Sequence, residues 1–399
     1  MTAPAAARDD GFRADRARRS RRSVVVFDLG GTWFRAGVLR ADGTVTVLRR
    51  DPALGVRTRP GPVSAVQDGI IDWLTDTLDA ILREGAAEPA AGPGDPPGPP
   101  LCAVSLGAAM NGATGEVRGS APLFGSATTS WWPAAELAAR RPDVRWSVVN
   151  DVSALAYALL TDPAVPAHGR AAALTVSTGI AYRTIEPATG RIPLDARHGL
   201  QGEIGHLPSR LEWQGVPLSA RCDCGALDHV AAYSSGSGIA GLLRRLPAAA
   251  WGGPDDGAGH RGTRPDPGAP PAPDDTRPAP AEARLTRVFG ARVAAGHPGA
   301  LRLLDAVTRP LAEVLTTQAA LDPEVTPTVL TGGVVDGLGD AYLRSLLRNL
   351  ARTGLYGITD RDPDHFAGRI VRGRPDGLGA LRGAGVHARG LPNERVHTA

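Results

Sequence analysis

The sequence predicts an α/β protein with a second domain in its C-terminal half, on three observations. Short β-branched runs alternate with stretches of helical period, glycine-bearing turns follow several of the runs, and the alternation resumes after proline-rich breaks. Val24 to Phe27 reads as a buried strand, Trp33 to Leu39 as the next and, past the turn at Asp42-Gly43, Val45 to Leu48 as a third. These spacings suit a meander and leave no room for a helical crossover, so the sheet begins antiparallel. Ile70, Ile71, Leu74, Leu78, Ile81 and Leu82 recur at three and four residues and predict a helix ending near Gly85. A proline-rich loop, Pro89 to Pro100, separates it from strands at Leu101 to Leu106 and Val144 to Val149 and a helix at Val152 to Leu160.

Ala173 to Ser177 is a further strand facing a turn at Gly179, and Arg183 to Leu194 a sheet excursion where the second domain begins. Apolar spacing from Leu301 to Leu315 predicts a helix that Pro310 should kink, followed by a strand, Thr328 to Leu330, after Pro327. The expected organisation is a disordered Arg-rich tail over 1–22, an N-terminal α/β lobe over 23–150, a C-terminal α/β lobe over 151–380 and a terminal segment over 381–399. Residues 247–284 hold nine prolines and only Trp251 as a bulky apolar anchor. Such a stretch does not repay its ordering entropy and is expected to be a disordered insertion.

Composition removes whole classes of function. With 399 residues and a hydrophobic fraction of 42%, the chain can bury one or two ordinary cores. All 44 basic residues are arginines. That excludes a phosphate loop ending in lysine, a pyridoxal Schiff base and a protein-kinase site, each of which needs an ammonium. Much of the net charge of +3 sits in Arg13 to Arg22, a solvated tail rather than a nucleic-acid surface. No apolar run approaches the roughly 18 residues of a membrane span, and no secretory signal opens the chain. The expectation is therefore a cytoplasmic enzyme with no nucleic-acid or membrane partner. Three cysteines, two of them at Cys222 and Cys224, make no disulfide framework and point to a metal.

Four groups of residues carry chemistry. Asp28-Leu29-Gly30-Gly31-Thr32 puts an acid at a strand end, then two glycines whose bare backbone lets N–H groups approach phosphate oxygens. Thr32 adds a donor and Asp28 can hold hydrated magnesium; an ordinary hairpin turn is the alternative. Ser177-Thr178-Gly179 and Thr331-Gly332-Gly333 repeat the theme after later strands. Asp151, in Asn150-Asp151, follows a strand as either a helix N-cap or a general base that deprotonates a hydroxyl attacking a γ-phosphoryl group. Gly202-Glu203-Ile204-Gly205-His206, with Cys222, Cys224 and His229, supplies two thiolates and two imidazoles for a closed, structural zinc site; reduced buried thiols with surface histidines are the alternative. A metal on His206 would also fix Glu203 as an acceptor for sugar hydroxyls.

Taken together and in this order, these motifs resemble the ROK family of repressors and sugar kinases. The resemblance runs from about Val24 to Gly377-Leu378-Gly379-Ala380. It implies an actin-like ATPase fold, two ribonuclease H-like lobes with a central cleft, binding ATP, Mg2+ and a structural Zn2+. It implies Asp151 as catalytic base, Asn150, Glu203 and His206 as sugar contacts, and Asp28 beside the metal-bound phosphates. Gly30, Gly31, Thr32, Thr178 and Gly179 would hold phosphates, and Gly332 and Gly333 would border adenosine. Homodimers are common in the family. Its repressors carry a helix-turn-helix domain of roughly 60 residues before the first phosphate turn. Here 22 residues without apolar period precede the first strand, which sets the repressor aside.

The departures from the family pattern bear on the acceptor. His229 stands where a third cysteine is usual, Ala231 where a glutamate contacts ring hydroxyls, Leu123 where many members have asparagine, and Ala181 for a glycine of the second phosphate turn. Losing buried polar partners argues against plain glucose. The expected activity is transfer of the γ-phosphoryl group of ATP to a primary hydroxyl of a hexose-like acceptor, such as glucose, an amino sugar or a C7-cyclitol. A noncatalytic sugar sensor is the second expectation.

Overall fold

β1 (Val24–Leu29) is buried along its whole length, and its residues divide by alternation between two cores. Val25, Phe27 and Leu29 face the helix Val63–Arg83 through Ile70, Leu74 and Leu78, while Val24 and Val26 face the helix Gly379–Gly390 through Leu381, Ala384 and Ala388. A strand covered on both faces needs the continuous apolar run that the sequence has here. β2 (Trp33–Leu39) and β3 (Val45–Pro52) extend the sheet antiparallel on one side of β1. On the other side β4 (Leu101–Leu106) and, beyond the small sheet of β5 (Ala109–Met110), β6 (Val117–Gly119) and β7 (Thr128–Trp131), β8 (Arg145–Asn150) run parallel. The order is β3-β2-β1-β4-β8, so the C-terminal ends of β1, β4 and β8 share one edge.

This computed structural model describes residues 22–56, 58–85, 98–253 and 280–390. They form two units: one from the described residues of 1–167, 189–200 and 376–399, the other from 168–188 and those of 201–375. The second unit repeats the plan of the first. β9 (Arg170–Val176) and β10 (Ile180–Ile185) make an antiparallel hairpin, and β11 (Leu211–Trp213) pairs with β12 (Val216–Leu218) in a small separate hairpin. β13 (Val325–Thr331) and β14 (Ile370–Arg372) add parallel strands in the order β10-β9-β13-β14. The helices Pro298–Leu321 and Gly333–Thr353 contribute Leu303, Leu304, Leu311, Tyr342 and Leu346 to its core.

Several boundaries differ from those expected. The division does not fall between Asn150 and Asp151: the helix Asp151–Ala158 lies in the first unit, against the helix Gly379–Gly390. A Cβ on Gly383 would stand 1.7 Å from the Ala154 carbonyl oxygen, so only glycine lets the two backbones meet this closely. Residues 381–390 are therefore part of a packed helix rather than a separate terminal segment; 391–399 lie outside the described residues. The expected insertion is helical at both ends, Ala248–Trp251 and Pro280–Ala294, because Trp251 buries its indole against Phe289 with ring centroids 6.3 Å apart. Only 254–279 of it, like 1–21 of the expected tail and 89–97 of the proline-rich loop, lies outside the described residues.

The remaining differences are local. The helix expected from Leu301 to Leu315 is longer, Pro298–Leu321, with Pro310 inside it. Pro327 lies inside β13 rather than before it, where the pairing with β9 shifts register and its missing N–H costs least. The excursion expected to Leu194 ends with β10 at Ile185. Among the described residues no helix is long and apolar enough to cross a membrane.

His387, on the helix Gly379–Gly390, hydrogen-bonds Ser147 of β8 at 3.0 Å with its ring 4.4 Å from Tyr157. Burial pushes its imidazole down to about 4. Between an ordinary value near 6.5 and that folded value, the unfolded chain binds a proton that the folded chain does not. Stability from this residue is thus complete above about pH 6.5 and lost as pH falls toward 4. From pH 6.5 to 5, above the carboxylate range, urea unfolding should show a loss on the order of 2 kcal/mol. His387→Asn should flatten that segment; an equal slope in the variant would assign the dependence elsewhere.

Candidate functional site

In the first unit, the turn between β1 and β2 is closed by Gly30 N–H donating to the Trp33 carbonyl at 3.2 Å. The segment is a hairpin turn and a bare-backbone loop at once, so the two readings of its glycines do not compete. Gly31 has no room for a side chain, since a Cβ would stand 2.3 Å from that of Pro122. Thr32 is exposed at the tip. This turn also sets the register that pairs Asp28 with Arg35 across β1 and β2.

Arg35 donates to Asp28 Oδ2 from Nε at 3.0 Å and Nη2 at 2.5 Å, and to the Gly377 carbonyl at 2.7 Å. Ser105 of β4 donates to Asp28 Oδ1 at 3.1 Å. Asp28 thus stands in an ion pair at the strand end, and Arg35 and Ser105 are partners that the sequence reading missed. A two-residue turn centred on Gly31-Thr32 places 28 opposite 35, so the pairing was available from the hairpin register.

At the end of β8, Asn150 and not Asp151 caps the helix Asp151–Ala158. Its Oδ1 accepts from Val152 N–H at 3.0 Å and Ser153 N–H at 3.1 Å. Its Nδ2 donates to the Ala108 carbonyl and to Asp151 Oδ1, each at 2.9 Å. A side-chain amide offers two donors and two acceptor positions, so this side chain is committed to the fold. Through that second donor Asn150 holds Asp151.

Val152 N–H also donates to Asp151 Oδ1 at 2.9 Å. Oδ2 turns the other way and would meet a Cβ on Gly107 at 3.5 Å, a position itself 3.9 Å from Gly30 Cα. Three strand ends therefore assemble within this unit: Asp28 and Gly30 at the end of β1, Gly107 after β4, and Asp151 after β8. The carboxyl ends of parallel strands are where α/β sheets place ligands.

In the second unit, Ser177 N–H closes the β9–β10 turn on the Gly179 carbonyl at 2.9 Å, leaving Thr178 and Gly179 exposed. Gly332, at φ +108°, follows β13 and opens the helix Gly333–Thr353. A Cβ there would lie 2.4 Å from the Val176 carbonyl oxygen, so the two turns lie side by side only because residue 332 is glycine. Ala181 sits in β10, Ala231 is buried at the head of a short helix, and Leu123 is wholly buried in the first unit's core. None of the three supplies a polar contact.

Glu203 and His206 come from a segment laid along the edge of β10. Tyr182 N–H donates to the Gly202 carbonyl at 3.0 Å, and the Gln201 amide holds both Thr184 N–H at 2.9 Å and Thr184 Oγ1 at 2.5 Å. Gly202 and Gly205 lie flat on the β10 backbone, where a Cβ would come within 1.8 Å of Tyr182 O and 2.5 Å of Ile180 O. Beneath Glu203, Arg183 Nη2 lies 3.7 Å from Oε1; the arginine side chain is 2% exposed and the glutamate 47%. Sequence reasoning missed Arg183, because a strand pattern does not reveal which buried position is charged.

His206, Cys222, Cys224 and His229 converge, with their ligand atoms all within 4.8 Å of one another. Cys222 Sγ lies 3.8 Å from His206 Nδ1, and Cys224 Sγ 3.3 Å from His229 Nδ1. These separations fit the edges of a tetrahedron with metal–sulfur bonds of about 2.3 Å and metal–nitrogen bonds of about 2.0 Å. Asp228, at φ +59°, anchors the loop by accepting from Ser219 Oγ, Ala220 N–H and Tyr233 Oη. Burial pushes the Cys222 thiol up to about 11, so a cation is what would hold it as thiolate at neutral pH.

Comparison with known proteins places these features in a family context. The model of the ROK family matches residues 112–364. The chain is 39% identical over 370 residues to the 2-epi-5-epi-valiolone 7-kinase of an Actinoplanes species, covering 92% of each protein. It is 30% identical over 356 residues to the C(7)-cyclitol 7-kinase of Streptomyces hygroscopicus subsp. jinggangensis, covering 87% of this chain and 88% of that one. Among solved structures, a ROK family glucokinase from Streptomyces griseus, in complex with glucose and AMPPNP, superposes with a TM-score of 0.61. It is 18% identical, over 92% of this chain and 99% of that chain.

Proposed function

The chain belongs to the ROK family and is an ATP-dependent carbohydrate kinase of actin-like ATPase fold, and from that premise we propose that its acceptor is a C7-cyclitol phosphorylated on the exocyclic C7 hydroxyl. The observation that carries the acceptor assignment is the 39% identity to a valiolone kinase across 92% of the chain. Ala231 and Leu123 support it: a site that has given up two polar contacts loses affinity for the full hydroxyl set of glucose.

In this reading Asp151 takes the proton of the primary hydroxyl as that oxygen attacks phosphorus, and Asn150 and Val152 N–H orient its carboxylate. Gly31, Thr32, Thr178 and Gly179 offer the phosphates backbone and hydroxyl donors, Gly30 closes the first turn and leaves its bare backbone open to a phosphate, and Gly332 and Gly333 border the adenosine. Asp28, tied to Arg35, would help to hold Mg2+, whose charge would offset that of the phosphates. Glu203 accepts from ring hydroxyls. His206, Cys222, Cys224 and His229 would hold a structural Zn2+; with Nδ1 given to that ion, His206 would keep Nε2–H as a donor to the acceptor.

The expected result in a coupled assay for ADP release is a kcat/KM for a 2-epi-5-epi-valiolone-type cyclitol at least ~100-fold above that for glucose. Phosphorus NMR should place the product phosphate on C7. Efficient turnover of glucose with neglect of the cyclitol would overturn the acceptor assignment and leave the family intact.

A further inference from the structure

We propose that Arg183 is a positioning residue that restricts the acceptor to neutral polyols and excludes cationic amino analogues. The inference rests on the reading above, in which Glu203 meets the ring hydroxyls. A guanidinium buried to 2% exposure is costly to desolvate, and its carboxylate neighbour Glu203 is half-exposed on the opposite side. Segment 201–205 is fixed on β10 by the Tyr182 to Gly202 hydrogen bond, the Gln201 amide and the two glycines without room for a side chain. The backbone that carries Glu203 is therefore fixed beside the strand that carries Arg183.

Two consequences follow from the charges. The Glu203 carboxylate has one oxygen toward Arg183, so what it offers an acceptor is hydrogen-bond acceptance from hydroxyl donors. The pair is also neutral overall. An ammonium seeking Glu203 would gain one attraction and meet the repulsion of a guanidinium a few ångströms further in, without repayment of its own desolvation. A neutral hydroxyl donor meets no such opposition. A lone glutamate would instead favour the amino compound.

The test uses matched acceptors, a cyclitol and its ring-amino counterpart, and glucose with glucosamine. Wild-type enzyme should favour each neutral member by at least about tenfold in kcat/KM at pH 7. The amino member should recover as pH rises through the amine's own titration while the neutral member does not. Arg183→Met should narrow the ratio by about tenfold, whereas Arg183→Lys, which keeps the charge, should preserve it. Should the methionine variant fail to fold, the wild-type pH dependence still decides. An unchanged ratio in a folded Arg183→Met, or equal use of both members at every pH, overturns the proposal alone. Glu203→Gln separates the premise: a raised KM for the neutral acceptor supports it, and an unchanged KM overturns the Glu203 contact together with this inference.

Discussion

Asp151→Asn is expected to lower kcat by about 10³-fold, with KM for the acceptor changed by less than about threefold. The substitution is nearly isosteric. The Asn150 and Val152 hydrogen bonds to Oδ1 can persist when a carbonyl oxygen replaces the carboxylate oxygen. What disappears is the basic oxygen on the side of Gly107 and Gly30, so proton acceptance is lost while the helix Asp151–Ala158 keeps its cap. Thermal unfolding should accordingly stay within about 0.5 kcal/mol of wild type. Asn150→Ala is the informative companion. It strips the N-cap and the holder of Asp151 together, and should cost about 1 kcal/mol of stability along with part of the kcat. A decrease below tenfold in Asp151→Asn, measured on folded enzyme with a saturating acceptor, would remove Asp151 from the role of base.

The strands were legible in the sequence wherever one residue type had to satisfy one environment. β1 and β4 are buried on both faces and read as apolar runs interrupted only by Asp28 and Ser105, and Trp33–Leu39 and Leu101–Leu106 have the ends expected of them. Asp151 and the glycine turns were legible because strand-end acids and bare backbone are local. The partners were not. Arg35 follows from hairpin register, Ser105 from the parallel pairing of β4 with β1, and Arg183 from a segment twenty residues downstream folding back along an edge. Each depends on which strands become neighbours, which no local pattern encodes. The same holds for the boundary at residue 150. The helix Asp151–Ala158 joins the first unit because Gly383, far along the chain, lets another helix backbone touch it. Composition also misjudged the ends of the proline-rich stretch, where a single indole, Trp251, was enough to order a helical turn.

Removal of the metal is the second large effect. The loop from His206 to His229 contains few regular elements, and its ligands span the segment between β10's edge and the core residue Val230. Without a cation, a thiol buried at Cys222 beside Cys224 and two imidazoles form a polar cluster with weak mutual hydrogen bonds, so the holo protein should depend on its ion for local stability. Purified protein is expected to contain about one zinc per chain. Strong chelation, or Cys222→Ser, should lower unfolding stability by several kcal/mol, about 3 or more, and Tm with it. Because His206 is three residues from Glu203 on the same fixed segment, KM for the acceptor should rise with metal loss more than KM for ATP. Leu78→Val, a core change in the other unit, would lower Tm without that asymmetry and so serves as the control. Protein isolated without metal, at full stability and with an unshifted acceptor KM, would make the four ligands an ordinary thiol and imidazole cluster.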